Sequence, residues 1–428
     1  MIRPTRRQFA PPFLLAAFLT TALSACATQP RSLPTAAPEQ AGFSSEELAR
    51  IRPAMQALVD SGRVAGVVAV IARNGNVVYE EAIGRFDSER PEALSPDHLF
   101  RIYSMTKPVT AAAILKLQEQ GRLDIDDPVS NYIPAFADVK VFAGGPSTNP
   151  QLRAPARAPT VGDLLSHTAG LSYGVFGNTA VDSIYTRAGM LDPSMTLQQF
   201  ADSVARLPLL YSPGDRWVYS VGLDVAGRVV EAASGMSFDE YLRRELFDPL
   251  GMRNTSFFIR EGDEDRLMPI HNPGPDGRVV PAREVGPSFE RSARFLSGGG
   301  GLISTPGDYI RFAQMLLNGG ELDGVRILTP ESVALMSRNH LPESIRATTL
   351  AGRNHGFGLA VAVQVDPPDG NTLSPTGTYW WAGLANTNFW IDPENELIGM
   401  IYTQQLPSGR DGGASSTFRR MVYEALEP

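Results

Sequence analysis

Cysteine is almost absent from this chain: Cys26 is the single one in 428 residues, which excludes an intrachain disulfide and a thiolate metal site. Lysine is nearly as scarce, with only Lys107, Lys116 and Lys140. No basic run exceeds three residues and the formal net charge is -8, so nothing here suits a nucleic-acid backbone. The five histidines, His98, His167, His271, His340 and His355, show no His-x-x-x-His or His-Glu spacing, so no zinc motif is present. No apolar run is long enough to span a bilayer, and there is no internal repeat. What remains is the composition of a soluble globular protein, 43% hydrophobic and 20% charged. Its length allows one large or two ordinary domains.

The first 25 residues read as an export signal rather than as fold. Arg3, Arg6 and Arg7 form a basic start, and Phe13 to Leu23 is a short apolar run. Thr5-Arg6-Arg7-Gln8-Phe9 resembles a twin-arginine signal, and Leu23-Ser24-Ala25-Cys26 resembles a bacterial lipobox. The expected product is a lipoprotein acylated on Cys26, at the periplasmic face of a membrane. Residues 26–42 are polar and contain proline, which reads as a tether.

The folded part is expected from residue 43. Ser44-Ser45-Glu46-Glu47 and the periodic run to Leu58 predict one capped helix. Val64–Ala72 and Val77–Ile83 are β-branched runs joined through Asn74-Gly75, a strong hairpin signal. A helix is expected over Ser104–Gln120, closed by Gly121. Residues 122–290 read as helical patches in long loops. Beyond them, helices are expected at Asp308–Leu317, Pro330–Ser337 and Ser415–Leu426. Strands are expected at Phe357–Val365, Tyr379–Trp381, Asn386–Ile391 and Leu397–Tyr402. The expected class is therefore α+β: one antiparallel sheet built from both ends, residues 43–121 and 291–428, with the mostly helical 122–290 inserted. There is no βα alternation to suggest a TIM barrel or Rossmann fold.

Ser104-Met105-Thr106-Lys107 places a hydroxyl and an amine one helical turn apart. A serine needs a neighbouring base to attack an acyl carbon, and a lysine can serve. A helix N-terminus beneath Ser104 favours the negative charge that develops. Two further pieces follow: Tyr211-Ser212-Pro213-Gly214-Asp215-Arg216-Trp217-Val218-Tyr219-Ser220-Val221, and Trp381-Ala382-Gly383. Together with Leu164–Leu171, Pro249–Met252 and Ser297–Leu302, they resemble the motifs of the penicillin-recognising serine hydrolases. Those include class C β-lactamases, D-alanyl-D-alanine carboxypeptidases and, above all, family VIII carboxylesterases. The resemblance implies the β-lactamase/transpeptidase-like fold, Ser104 as nucleophile, and Lys107 and Tyr219 in proton transfer. It also implies an oxyanion hole from the backbone N–H groups of Ser104 and Leu384, and no cofactor or metal.

Two departures from the motifs bear on substrate. Val221 stands where an asparagine is common, and Trp381 where β-lactamases carry a lysine. With Ala382 and Gly383, these positions are expected to line a more apolar substrate site, suited to a neutral short-chain ester. The alternatives are a β-lactamase or D-Ala-D-Ala carboxypeptidase and, in another class, a catalytically silent cell-wall-binding protein; the presence of Ser104, Lys107 and Tyr219 argues against the last. Gly170-Leu171-Ser172-Tyr173-Gly174 matches the Gly-x-Ser-x-Gly elbow but lacks the strand before it and the helix after it. His167 is read as a loop anchor, and Gly298–Gly301 as a place where two backbones approach closely. Tyr379, Trp380, Trp381 and Phe389 line either an acyl pocket or a packed sheet face.

Overall fold

The computed structural model describes residue 1 and residues 32–190, 192–282, 289, 293–346, 349, 352, 354–365 and 373–427. The export signal and Cys26 lie outside the described residues. Seven strands form one antiparallel sheet: β1 (Gly66–Arg73), β2 (Asn76–Gly84), β3 (His355–Phe357), β4 (Ala362–Gln364), β5 (Tyr379–Ala382), β6 (Thr387–Asp392) and β7 (Leu397–Tyr402). Their spatial order is β3-β4-β5-β6-β7-β1-β2, so the N-terminal hairpin pairs with the last strand. The β1–β2 turn places Asn74 and Gly75 both at positive φ, as a tight hairpin requires.

The sheet is buried on both faces, and the strand period of two sorts its side chains. On β1, Val68, Val70 and Ala72 join the larger core, while Val67, Ala69 and Ile71 join a second core behind the sheet. Five helices matter here: α1 (Ile51–Asp60), α2 (Thr106–Glu119), α3 (Gly222–Ser234), α4 (Pro306–Leu317) and α5 (Ala414–Glu424). Ile51 and Met55 of α1 and Phe418 and Val422 of α5 cover the rear face. On the front, α2 and α4 supply the larger core, which continues without a break into α3 and the central helical segment.

Several local expectations are corrected. The helix expected through Leu58 is two pieces, Ser45–Ala49 and α1. Pro53 has no N–H to carry the ladder back to Ala49, so the helix restarts there. The strand expected over Phe357–Val365 is a hairpin, with Gly358 N–H donating to the Val361 carbonyl and Ala360 at φ 67°. An unbroken apolar run does not separate a buried strand from a buried turn. Two small hairpins, Val141–Gly144 with Gln151–Arg153 and His271–Pro273 with Val279–Pro281, lie within the segment read as helical. The expected tether is docked from Leu33 onward: Leu33 is buried, and the Pro34 carbonyl and Ala36 N–H pair with Val77. This covers part of the β2 edge.

Gly399 of β7 faces Trp390 directly across the ladder, and a Cβ there would meet the indole at 2.1 Å. Gly399→Ala should therefore displace Trp390 from the rear core and destabilise the fold by about 1–3 kcal/mol, read as a lower thermal midpoint. An unchanged midpoint would mean the indole can swing aside freely.

Candidate active site

Ser104 sits in a 3₁₀ turn, Tyr103–Met105, immediately before α2. Tyr103 has φ 43°, a left-handed conformation that costs a non-glycine residue about 1–3 kcal/mol and is held by its surroundings. Pro108 is tolerated because first-turn N–H groups have no helical acceptor. One turn on, Lys107 is fully buried. Its Nζ donates to Ser104 Oγ at 3.0 Å and to the Gly299 carbonyl at 2.6 Å. Tyr219 Oη donates to Ser104 Oγ at 2.6 Å. A residue one helical turn away and one 115 positions away thus donate to the same hydroxyl.

Aromatic faces complete the surroundings of the ammonium, with Nζ 4.7 Å from the Tyr219 ring centre and 5.3 Å from that of Tyr173. Asp224, in the first turn of α3, is also buried. Its carboxylate accepts from Ser297 Oγ at 2.5 Å, Gly299 N–H at 3.0 Å and Tyr173 Oη at 3.3 Å. Burial pushes the Asp224 carboxyl above its usual range, while Lys107 and these three donors pull it back. Sequence reasoning missed Asp224, Tyr173 and Ser297. An aspartate in a first helical turn reads as a helix-dipole residue, and Tyr173 lies inside the Gly-x-Ser-x-Gly match.

Above Ser104 opens a cavity of about 620 Å³. Trp380, Trp381, Phe257, Phe258 and Phe295 form much of its wall, and Val175, Phe176 and Leu384 are exposed at it. Among the described residues, no charged side chain lines it. Trp381, Ala382, Gly383 and Leu384 all line the cavity, whereas Val221 is buried at the start of α3 and does not. Tyr379 and Phe389 are buried and lie outside the cavity wall. Gly383 is tightly enclosed: a Cβ would meet Thr387 Oγ1 at 2.2 Å and the Ile102 carbonyl at 2.4 Å. Only glycine lets the end of β5 approach the chain two residues before the nucleophile candidate. Among the described residues, neither the Ser104 nor the Leu384 backbone N–H has a protein acceptor.

The remaining motifs have structural explanations. Ser172 is buried outside the cavity, donating to Asp182 at 2.6 Å and accepting from Gly174 N–H at 2.8 Å. Gly298 and Gly299 permit close packing, since a Cβ on either would come within 2.4 Å of Leu223 O or Asp224 Oδ2. His167 accepts at Nδ1 from Ser220 N–H, and its carbonyl accepts from Val218 N–H. It therefore clasps Tyr219 from both sides. No group of side chains able to hold a metal occurs among the described residues.

Comparison with known proteins adds family context. A family model described as Beta-lactamase matches residues 51–423. Esterase EstB of Burkholderia gladioli is 32% identical over 381 residues, 84% of this chain and 91% of EstB. Lovastatin esterase of Penicillium rubens is 31% identical over 399 residues, 86% of this chain and 96% of that enzyme. The solved structure of EstCE1, described as a hydrolase with promiscuous acyltransferase activity, superposes with a TM-score of 0.77 at 29% identity. That match covers 88% of this chain and 99% of EstCE1.

His167 also yields a pH prediction. Burial first, and Lys107 second, hold its imidazole well below the usual range. The unfolded chain takes up a proton on this residue near pH 6.5, whereas the folded chain refuses it until lower pH. The stability is thus present above that value and is lost as pH falls below it. His98, His271 and His340 are shifted the same way by burial. Their joint contribution to the unfolding free energy should fall between about pH 7 and 5. His167→Asn, which tolerates the φ of 59° found there, should make that slope shallower by about one proton. Denaturant titrations across this range measure it, and an unaltered slope would mean the imidazole titrates normally.

Proposed function

Because the chain belongs to the Beta-lactamase family and is a serine hydrolase of β-lactamase/transpeptidase-like fold with esterase relatives, we propose that it cleaves short-chain carboxylic esters through an acyl-enzyme on Ser104. The observation that carries this reading is the pair of hydrogen bonds that Ser104 Oγ accepts from Lys107 and Tyr219 at the edge of the cavity. Ser104 Oγ bonds to the ester carbonyl carbon while its proton passes to the Lys107–Tyr219 pair. The backbone N–H groups of Ser104 and Leu384 receive the oxyanion. The C–O bond to the alcohol then breaks, and the alcohol leaves with that proton. Water repeats the sequence on the acyl-enzyme and frees the acid.

Among the described residues the wall carries no charged side chain, which favours a neutral ester over an anionic β-lactam. A charge-assisted hydrogen bond to a substrate carboxylate contributes roughly 1.5–3 kcal/mol, and Trp381 cannot supply it. A second reading, transfer of the acyl group to an alcohol instead of water, draws support from the apolar cavity and from the activity in EstCE1's description. A new ester formed when an alcohol is added to the assay distinguishes transfer from hydrolysis. For location, the proposal is a lipid anchor on Cys26 at the periplasmic face of a bacterial membrane. Its support is the lipobox pattern around the sole cysteine.

Two outcomes test the assignment. Ser104→Ala should abolish ester hydrolysis, by on the order of 10⁴-fold or more, whereas Ser172→Ala should largely spare it. The reverse pattern in folded protein sinks the mechanism. In addition, kcat/KM for short-chain p-nitrophenyl esters should exceed that for penicillins by at least about 100-fold, and Trp381→Lys should narrow the gap. Equal turnover of both classes by the wild type would favour a β-lactamase instead. For the anchor, mass spectrometry of the peptide beginning at Cys26 should find acyl chains, and an unmodified, soluble mature protein would refute it.

A further inference from the structure

The Leu384 N–H belongs to the hairpin loop that joins β5 to β6. Gly383 N–H donates to the Thr387 carbonyl at 2.7 Å, which leaves only Leu384, Ala385 and Asn386 to make the turn. A three-residue hairpin loop closes through a residue in the left-handed region. Asn386 takes that place at φ 60°, which asparagine tolerates. Glycine would serve the backbone as well, so the side chain needs its own explanation. Asn386 is buried, and its amide is used at both ends. Nδ2 donates to the Gln405 carbonyl at 2.8 Å and lies 3.5 Å from the Pro407 carbonyl, while Oδ1 accepts from Gly409 N–H at 2.7 Å. These partners lie in the segment after β7, whose Ser408 lines the cavity, as Leu384 does. The loop backbone is tied to the same segment, since the Ala385 carbonyl accepts from Thr403 Oγ1 at 3.1 Å and Gln405 N–H at 3.2 Å. On the other side, Thr387 Oγ1 donates at 3.4 Å to the carbonyl of Ile102, two residues before Ser104.

We propose that Asn386 is a positioning residue which clamps the Leu384–Asn386 loop to the Gln405–Gly409 segment and so aims the Leu384 N–H at the developing oxyanion. This rests on the acyl-enzyme reading above. When Ser104 Oγ bonds to the ester carbonyl carbon, the π pair of the C=O bond moves onto its oxygen, which accepts from the Ser104 and Leu384 N–H groups. Such a donor is effective when it is held in place before the charge arrives, because nothing then has to reorganise during the reaction. Leu384 does not fix its own orientation: its side chain is exposed, and its N–H has no protein acceptor among the described residues. The orientation is therefore set by its neighbours in the loop. Of the three loop residues, only Asn386 has a side chain that can hydrogen-bond, and that side chain reaches across to a separate segment.

The test is steady-state kinetics on a short-chain p-nitrophenyl ester with the full chain and with Asn386→Gly, which keeps the left-handed backbone and removes the amide. Fluorophosphonate labelling of Ser104 counts the active sites, so that kcat is expressed per labelled site. Loss of a whole oxyanion donor costs about 10²–10³ in kcat, so a misaimed one should lower kcat roughly 10–100-fold while KM changes less than about two-fold. Affinity for a short-chain trifluoromethyl ketone, whose hemiketal oxygen takes the oxyanion position, should weaken by a similar factor. A merely structural role predicts fewer labelled sites with wild-type kcat at each, and that result overturns the proposal. A raised KM with unchanged kcat also overturns it, because Asn386 would then shape only the cavity wall at Ser408. Should Asn386→Gly fail to fold, Asn386→Asp keeps the size and the acceptor for Gly409 but turns a carboxylate oxygen toward the Gln405 carbonyl. There too kcat per site should fall with KM little changed, and an unchanged kcat is equally decisive. Absence of label on Ser104 in the wild type defeats the acyl-enzyme itself, whereas labelled wild type with an unaltered variant defeats only the role of Asn386.

Discussion

The arrangement of this site depends on burying a single ammonium. Lys107 is withdrawn from water, and an isolated buried charge is far too costly to persist. Everything around it answers that cost: two hydrogen bonds, two aromatic faces and the negative charge of Asp224. Each answer comes from a different segment. The ammonium therefore acts as the point where the helical segment, the glycine loop and α2 are forced into register. Removing it would disturb the whole site, because Gly299 and Tyr219 lose their common partner.

Close backbone approach is the second constraint. Gly383, Gly298 and Gly299 each lie where a methyl group would strike a carbonyl or carboxylate within 2.4 Å. These contacts bring the end of β5 and the glycine loop against the turn that carries Ser104. Strain is accepted at Tyr103, whose left-handed backbone immediately precedes Ser104. Strain of this kind survives only where surrounding packing determines the conformation, and Tyr103 lies between two core residues, Ile102 and Met105 being buried on either side of the turn.

Much of this was legible in the residues themselves, and the reasons for the exceptions are physical. Lys107 three residues after Ser104 is a local geometric fact of a helix, so the pair was readable without a fold. Tyr219 and Trp381 were readable only through their motifs, since nothing local announces that they meet across more than a hundred residues. Asp224 was invisible because its partners, Ser297 and Gly299, are assembled by tertiary contacts alone. The sheet emerged well where strands were bounded by turn residues, as at Asn74-Gly75 and Leu397–Tyr402. It failed at Gly358–Val361, where the turn is as apolar and buried as the strands it joins. Val221 was misplaced on the cavity wall because its motif position says nothing about which way the start of α3 is turned.

The substitution at Trp381 acts on more than substrate charge. A second cation near a lysine disfavours the ammonium and promotes the free amine, which is one way such a residue becomes a base. Here the position that would hold that cation carries an indole, 5.6 Å from the Tyr219 ring. The charge facing Lys107 from below is instead negative. Lys107 in turn is one of the groups that draw the buried Asp224 carboxyl back toward ionisation. An apolar wall strengthens the effect, because electrostatic interactions grow as water is excluded. The indole that keeps this part of the cavity wall apolar thus also adds no positive charge to compete with the attraction between Lys107 and Asp224. The character of the cavity and the charge balance beneath it are set in part by one side chain.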